Sequence, residues 1–336
     1  MAATIKDIAK VTGLGLATIS SYLNGGNVRE KNREKIERAI KELHFEVNEV
    51  ARGLKTNRTK VIGIIIPELN NIFCAEIMTE MEDILRGHGY AVMICDCRSD
   101  TKREEEAVDF LFHRRVDGLI MIPSGERGIC LQTFIQSNKP VVLIDRKMKN
   151  MNCDCVLVDN SGAAKDAVSR LIRAGHKKIG IIVGPEKVYT AVERFKGYIL
   201  AMQEHGIPVT EEMIARGDYT IQGGTEAMQK LVKNNQDMTA VFVSNYEMTV
   251  GAIIELNELG VRIPEELSVI GFDNKEFAKA SSPKLSIVAQ PTEEIGQCAA
   301  EIMLERLSEK NQEFRQKVIK FKTDFIEGGS VKKIDC

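Results

Sequence analysis

The hydrophobic rhythm of the chain changes near residue 60. Before it, apolar residues fall at helical spacing; after it, continuous β-branched runs alternate with amphipathic stretches. Ile5, Ile8, Ala9 and Val11 predict a helix over about 5–12. Thr4 followed three residues later by Asp7 makes a capping-box pattern at its start, and Gly13 is suited to the left-handed conformation that ends a helix. A second helix is predicted over about 16–23, with Ile19 and Leu23 facing a core. A third runs from Glu30 to Leu43, with Ile36, Ile40 and Leu43 on one face.

Beyond residue 60 the pattern occurs twice. Val61–Pro67 is echoed by Lys178–Pro185, Val116–Ile122 by Met238–Val243, and Pro140–Asp145 by Leu267–Asp273. Such unbroken apolar runs are expected of parallel strands buried on both faces. Amphipathic stretches such as Ala75–Gly87 and Ala163–Ala174 lie between them. Repeated β-α units predict two doubly wound parallel sheets. The expected fold is therefore a small all-α head on an α/β body of two lobes, with ligands bound beyond the carboxyl ends of the strands.

One stretch admits a competing chemistry. Gly13-Leu14-Gly15-Leu16-Ala17-Thr18 holds two of the three glycines of a dinucleotide-binding loop. That loop must follow a strand, whose end aims backbone N–H groups at the phosphates. A helical pattern precedes Gly13 instead, and Thr18 stands in place of the third glycine. The two helices and their turn fit a helix-turn-helix, in which small Ala17, Thr18, Ser20 and Ser21 let the second helix enter a major groove.

Composition narrows the function classes. Across 336 residues, 43% are hydrophobic and 28% charged, and no apolar run approaches the length that spans a membrane. The start, MAATIKDIAK, lacks a secretory pattern, so a cytoplasmic protein without membrane partners is expected. Residues 1–60 hold 12 Lys and Arg against 7 Asp and Glu, while the remainder holds 34 against 41. A basic head on an acidic body points to a polyanion partner for the head. Cys95/Cys97 and Cys153/Cys155 lack zinc-ribbon spacing and read as reduced thiols near strands; neither metal nor cofactor is expected. No serine-histidine-aspartate set or paired catalytic acids form a local motif, so no enzymatic activity is expected.

Strand ends carry the candidate chemistry of the body. Pro67–Cys74 follows the first strand, Asp145-Arg146 and Asp273-Asn274 close matching strands, and Tyr189, Thr190, Arg194 and Ser244-Asn245-Tyr246 follow others. Carboxylates and a guanidinium supply the paired acceptors and donors that grip vicinal hydroxyls. With no tryptophan, the apolar face falls to Phe73, Tyr189, Tyr246 or Phe272. A strand-end aspartate also serves as a helix cap, and either role suits Asp145 and Asp273.

"TIKDIAKVTGLGLATISSYLNG", "REKNREKIERAIKELHFEVNEVARGLKTNRTKVIGIIIP", "VDGLIMIP", "VVLIDR", "VDNSGAA", "AGHKKIGIIVGP", "VIGFDN" and "QPTEEIG" succeed one another along the chain. In this order they resemble the lactose/galactose repressor (LacI/GalR) family of bacterial transcription regulators over essentially its whole length. The resemblance implies a DNA-binding domain over 1–47, a hinge over 48–59, and a core like type I periplasmic binding proteins. Its first lobe would take 60–159 and 290–320, its second 160–289 and 321–336. It implies a homodimeric repressor on a palindromic operator, tuned by a small-molecule effector, a sugar or sugar derivative, between the lobes. A tail too short for a heptad zipper agrees with dimers.

The resemblance assigns DNA contact to Thr4, Leu16, Ala17, Thr18, Ser20, Ser21, Asn24, Arg29, Asn48, Ala51 and Leu54, with Leu54 wedged into the minor groove. It assigns effector contact to Phe73, Asp145, Thr190, Arg194, Asn245, Tyr246 and Asp273. Several positions depart from the family pattern. Gly15 replaces a serine cap and Ser21 a common arginine, which implies an altered half-site. Cys74 replaces a second aromatic, Tyr246 the aspartate of an Asn-Asp pair, and Val188 the arginine of the purine-responsive member. The last change disfavours a purine.

Overall fold

The computed structural model describes residues 3–23, 25–46, 58–308 and 314–334, and the chain forms two compact units, Met1–Lys60 and Val61–Cys336. In the first, helices α1 (Ile5–Thr12), α2 (Leu16–Leu23) and α3 (Glu30–Glu42) follow the apolar spacing. Asp7 accepts from the Thr4 backbone N–H and hydroxyl at 2.8 and 2.7 Å, fixing the start of α1. Gly13 ends it at φ +67°, its N–H donating to the Ala9 carbonyl. Ile8, Ile19, Ile36 and Ala39 are buried at the centre, with Leu23, Ile40 and Leu43 packed around them. The Tyr22 hydroxyl donates to Glu37 at 3.0 Å and ties α2 to α3.

The second unit contains two six-stranded sheets. The first takes β1 (Val61–Ile66), β2 (Ala91–Asp96), β3 (Gly118–Met121), β4 (Val141–Ile144), β5 (Asp154–Val158) and the late strand β11 (Val318–Phe321), in the order 2-1-3-4-5-11 and all parallel. The second takes β6 (Ile179–Val183), β7 (Ile214–Arg216), β8 (Ala240–Val243), β9 (Ser268–Phe272), β10 (Ser286–Ala289) and β12 (Asp324–Ile326), in the order 7-6-8-9-10-12. β12 runs antiparallel to β10, the one departure from parallel pairing among the described residues. It follows β11 after two residues, too few to build a crossover within one sheet.

Each sheet is covered on both faces. In the first, Ile62, Ile64 and Ile66 meet α4 (Ile72–Gly87), while Ile65 packs with α5 (Thr101–His113) and α6 (Gln132–Gln136). The second sheet lies between α7 (Asn160–Arg173) with α8 (Tyr189–Glu204) and α9 (Ile221–Asn234) with α10 (Tyr246–Glu258). A short α11 (Lys275–Ala280) follows β9. The long α12 (Thr292–Ser308) returns the chain to the first sheet, where Ala299 and Met303 join the core. Thus the chain crosses between the lobes after β5, after β10 and after β11.

Helices α4 and α7 begin three residues earlier than their apolar patterns. Asn71 Oδ1 accepts from Cys74 N at 3.0 Å and Asp159 Oδ1 from Gly162 N at 3.2 Å, so polar caps, invisible to periodicity, set the starts. No helix among the described residues is long and apolar enough to cross a membrane.

Candidate functional site

In the head, α2 presents Leu16 and Ala17 to solvent, with Thr18, Ser20 and Ser21 half-buried beside the buried Ile19. The Gly15 carbonyl accepts from Thr18 N and Ile19 N, so the helix starts without a side-chain cap. Thr4 and Arg29 are exposed at the starts of α1 and α3. Asn24, Asn48, Ala51 and Leu54 lie outside the described residues.

In the body the candidate residues gather where the strands of both sheets end. Asp145 follows β4 at φ +64° and Asp273 follows β9 at φ +59°. The two positions match in hydrogen bonding as well: Asp145 N donates to Val156 at 2.9 Å and Asp273 N to Val288 at 2.7 Å. A left-handed non-glycine residue costs about 1–2 kcal/mol, and such strain concentrates at functional sites. Arg194, buried in α8, donates to Asn160 Oδ1 and to the Ser244 carbonyl, both at 2.7 Å, and its guanidinium lies 3.7 Å from the Phe272 ring centre. Phe272 itself is fully buried. The Thr190 and Tyr219 hydroxyls are 3.1 Å apart. Asn245 caps α10 through Met248 N at 3.1 Å, and Tyr246 packs edge-on against Phe277. Phe73 shares a pocket of about 150 Å³ with Asp273 and Gln290.

Several participants were not assigned from sequence. Arg146 donates to the Pro123 carbonyl at 2.9 Å and pairs with Asp145 at 3.4 Å. Gln290, at the end of β10, donates to both Asp273 oxygens at 3.0 and 2.9 Å. Glu247 accepts from Asn71 and from Asn245. Arg146 was named beside Asp145 at its strand end but not assigned to the effector, and the same rule would have flagged Gln290. Tyr219 has no such signal; it sits at φ +67° after β7, its ring over Gly184.

Five buried side-chain atoms among the described residues lack a hydrogen-bond partner: Ser124 Oγ, Asp145 Oδ1, Arg146 Nε, Ser244 Oγ and Gln290 Oε1. All five follow the carboxyl end of a strand, three in the first sheet and two in the second. Leaving a buried polar atom without a hydrogen bond costs about 1–3 kcal/mol, and Arg146 Nε has only its ion pair with Asp145, so these strand ends are the candidate site for a polar ligand. A larger groove of about 560 Å³ on the second lobe, near Ile253, Arg262 and Pro283, has none of them. Burial lifts the Asp273 carboxyl to about 6 against the pull of Arg194, and lifts Glu247 to about 7, with Asp273 adding to the rise. Three carboxylates thus share the cleft with two guanidinium groups already engaged by protein acceptors.

Residues 4–48 match the model of bacterial regulatory proteins of the lacI family, and residues 168–331 that of a periplasmic binding protein-like domain. The ribose operon repressor of Haemophilus influenzae is 34% identical over 318 residues, which span 94% of this chain and 96% of that protein. A regulator of this family from Enterococcus faecium with bound ribose matches with a TM-score of 0.74 at 27% identity, over 82% of this chain and 100% of that one. The lac repressor dimer bound to operator matches with a TM-score of 0.85 at 22% identity, over 99% and 100%, a likeness of fold.

Proposed function

Since this chain belongs to the LacI family of bacterial regulatory proteins, we propose that it is a cytoplasmic, homodimeric repressor whose hold on a palindromic operator is set by a neutral polyhydroxylated effector, a pentose-sized sugar. That it is a DNA-binding transcription regulator and not an enzyme follows from the family. The effector class is carried by the unpartnered buried atoms at the strand ends. Asp145 Oδ1 and Gln290 Oε1 are acceptors in search of donors, and the two serine hydroxyls accept or donate. A sugar offers several hydroxyl donors, whereas a phosphate or carboxylate would meet Asp145, Asp273 and Glu247 at close range. The residues we assign to the effector are Phe73, Asp145, Arg146, Thr190, Arg194, Asn245, Asp273 and Gln290, with Tyr246 at the margin against Phe277.

The DNA assignment rests on the exposed face of α2 together with Thr4 and Arg29, and on the hinge residues Asn48, Ala51 and Leu54. A thermal-shift panel of D-ribose, other pentoses, hexoses, nucleosides and sugar phosphates tests the effector class, because a ligand of the folded state raises its stability. A shift with neutral sugars and none with phosphorylated ones is expected. The reverse order would sink the reading.

A further inference from the structure

Asn71 and Asn245 each cap a helix that follows a strand, α4 after β1 in the first lobe and α10 after β8 in the second. A backbone N–H is accepted only by the carboxamide oxygen, so the caps on Cys74 N and Met248 N fix how each side chain is turned. Both amide groups are thereby aimed at one carboxylate. Asn71 Nδ2 donates to Glu247 Oε1 and Asn245 Nδ2 to Glu247 Oε2, each at 2.6 Å. Glu247 and Asn245 belong to the second lobe and Asn71 to the first. The same carboxylate faces Asp273 at the end of β9, Arg194 on α8 and Cys74 on α4.

We infer that Glu247 is a cross-lobe latch, which ties the two lobes to each other by taking the acceptor place between Asn71 and Asn245. The latch rests on the effector reading only for its purpose, since an effector bound between the lobes has to keep or break this tie. When ionised, above its raised pKa of about 7, Glu247 offers two acceptors and no donor, and bonds to an ionised acceptor are the stronger ones. A glutamine at 247 would turn its own amide toward one of the two asparagines.

A swap of donor and acceptor tests this in the full chain with no ligand present. Glu247→Gln should speed hydrogen exchange of the segment 68–80, in the opposite lobe, by about fivefold. Asn71→Asp keeps the capping oxygen but replaces the donor, and should do the same. In the double variant the new glutamine keeps its oxygen for Asn245 and gives its amide to the new aspartate, so exchange should return to the parent rate. If Glu247→Gln leaves segment 68–80 unchanged, or if the double variant exchanges as fast as either single one, the latch is overturned. A failed sugar screen would instead count against the effector class, so the two failures are distinguishable.

Discussion

Asp273 had two readings as a residue, helix cap or ligand acceptor. The cap belongs to its neighbour: Asn274 Oδ1 accepts from Phe277 N at 2.7 Å and starts α11. Asp273 instead takes both contacts from Gln290 and stands within reach of Arg194, Glu247 and Asp145. Asp273→Ala should therefore bind operator like the parent and lose effector affinity by more than about tenfold, the effect of one hydrogen bond to a charged group. Operator titration with and without the sugar found by the screen checks this, and a variant unable to bind operator even without sugar would return Asp273 to a structural role. Burial also raises Asp273 and Glu247 from 3.8 and 4.5 to about 6 and about 7. The folded chain then holds more protons than the unfolded one, so their contribution to stability falls as pH rises through that window. Hydroxyl donors favour the ionised form of Asp273, so effector binding should release protons around pH 6. Calorimetry in buffers of different ionisation heat at pH 6.5 would show it; proton uptake would contradict it.

At the scale of elements, helices are placed by apolar spacing and started by polar caps. Asn71, Asp159 and Asn245 cap α4, α7 and α10, and two of those caps also aim an amide into the cleft. An element that starts a helix therefore also builds the site. The hinge, 48–59, falls almost wholly outside the described residues, and its role rests on family resemblance. An apolar wedge unstacks a base step and is repaid by contacts along the bent duplex. Leu54→Ala should lower specific operator affinity at least about tenfold while leaving non-specific, salt-sensitive binding nearly unchanged. Equal loss of both in gel-shift titrations at two salt concentrations would remove the wedge.

Over the whole molecule, two lobes of the same winding are joined by three crossings of the chain, and on the proposed reading a ligand between them biases an equilibrium between open and closed arrangements. A ligand shifts that equilibrium only by its differential affinity for the closed form. One helix-turn-helix reads a few base pairs, and a two-fold operator calls for a two-fold protein. Light scattering should give a dimer both free and on a palindromic operator. A monomer holding operator, or a tetramer, would refute the assembly.

Much of this was written in the order of the residues. Ile5, Ile8, Ile19 and Ile36 carry the helical period of the head, and the unbroken runs Val61–Ile66 and Ile179–Val183 carry strands buried on both faces, because periodicity is a local property of the chain. That Asp145 and Asp273 close strands, where ligands gather in such sheets, was also legible. The partners were not. Gln290 reaches Asp273, Arg194 reaches Asn160, and Asn71 reaches Glu247 across the lobes, each from a segment distant in sequence. Which donor meets which acceptor depends on how two sheets face one another, and no local period encodes that. The unpaired atoms at Asp145, Ser244 and Gln290 exist only once packing has removed water from them, so the ground on which we place the effector site there was decided by burial in the tertiary structure.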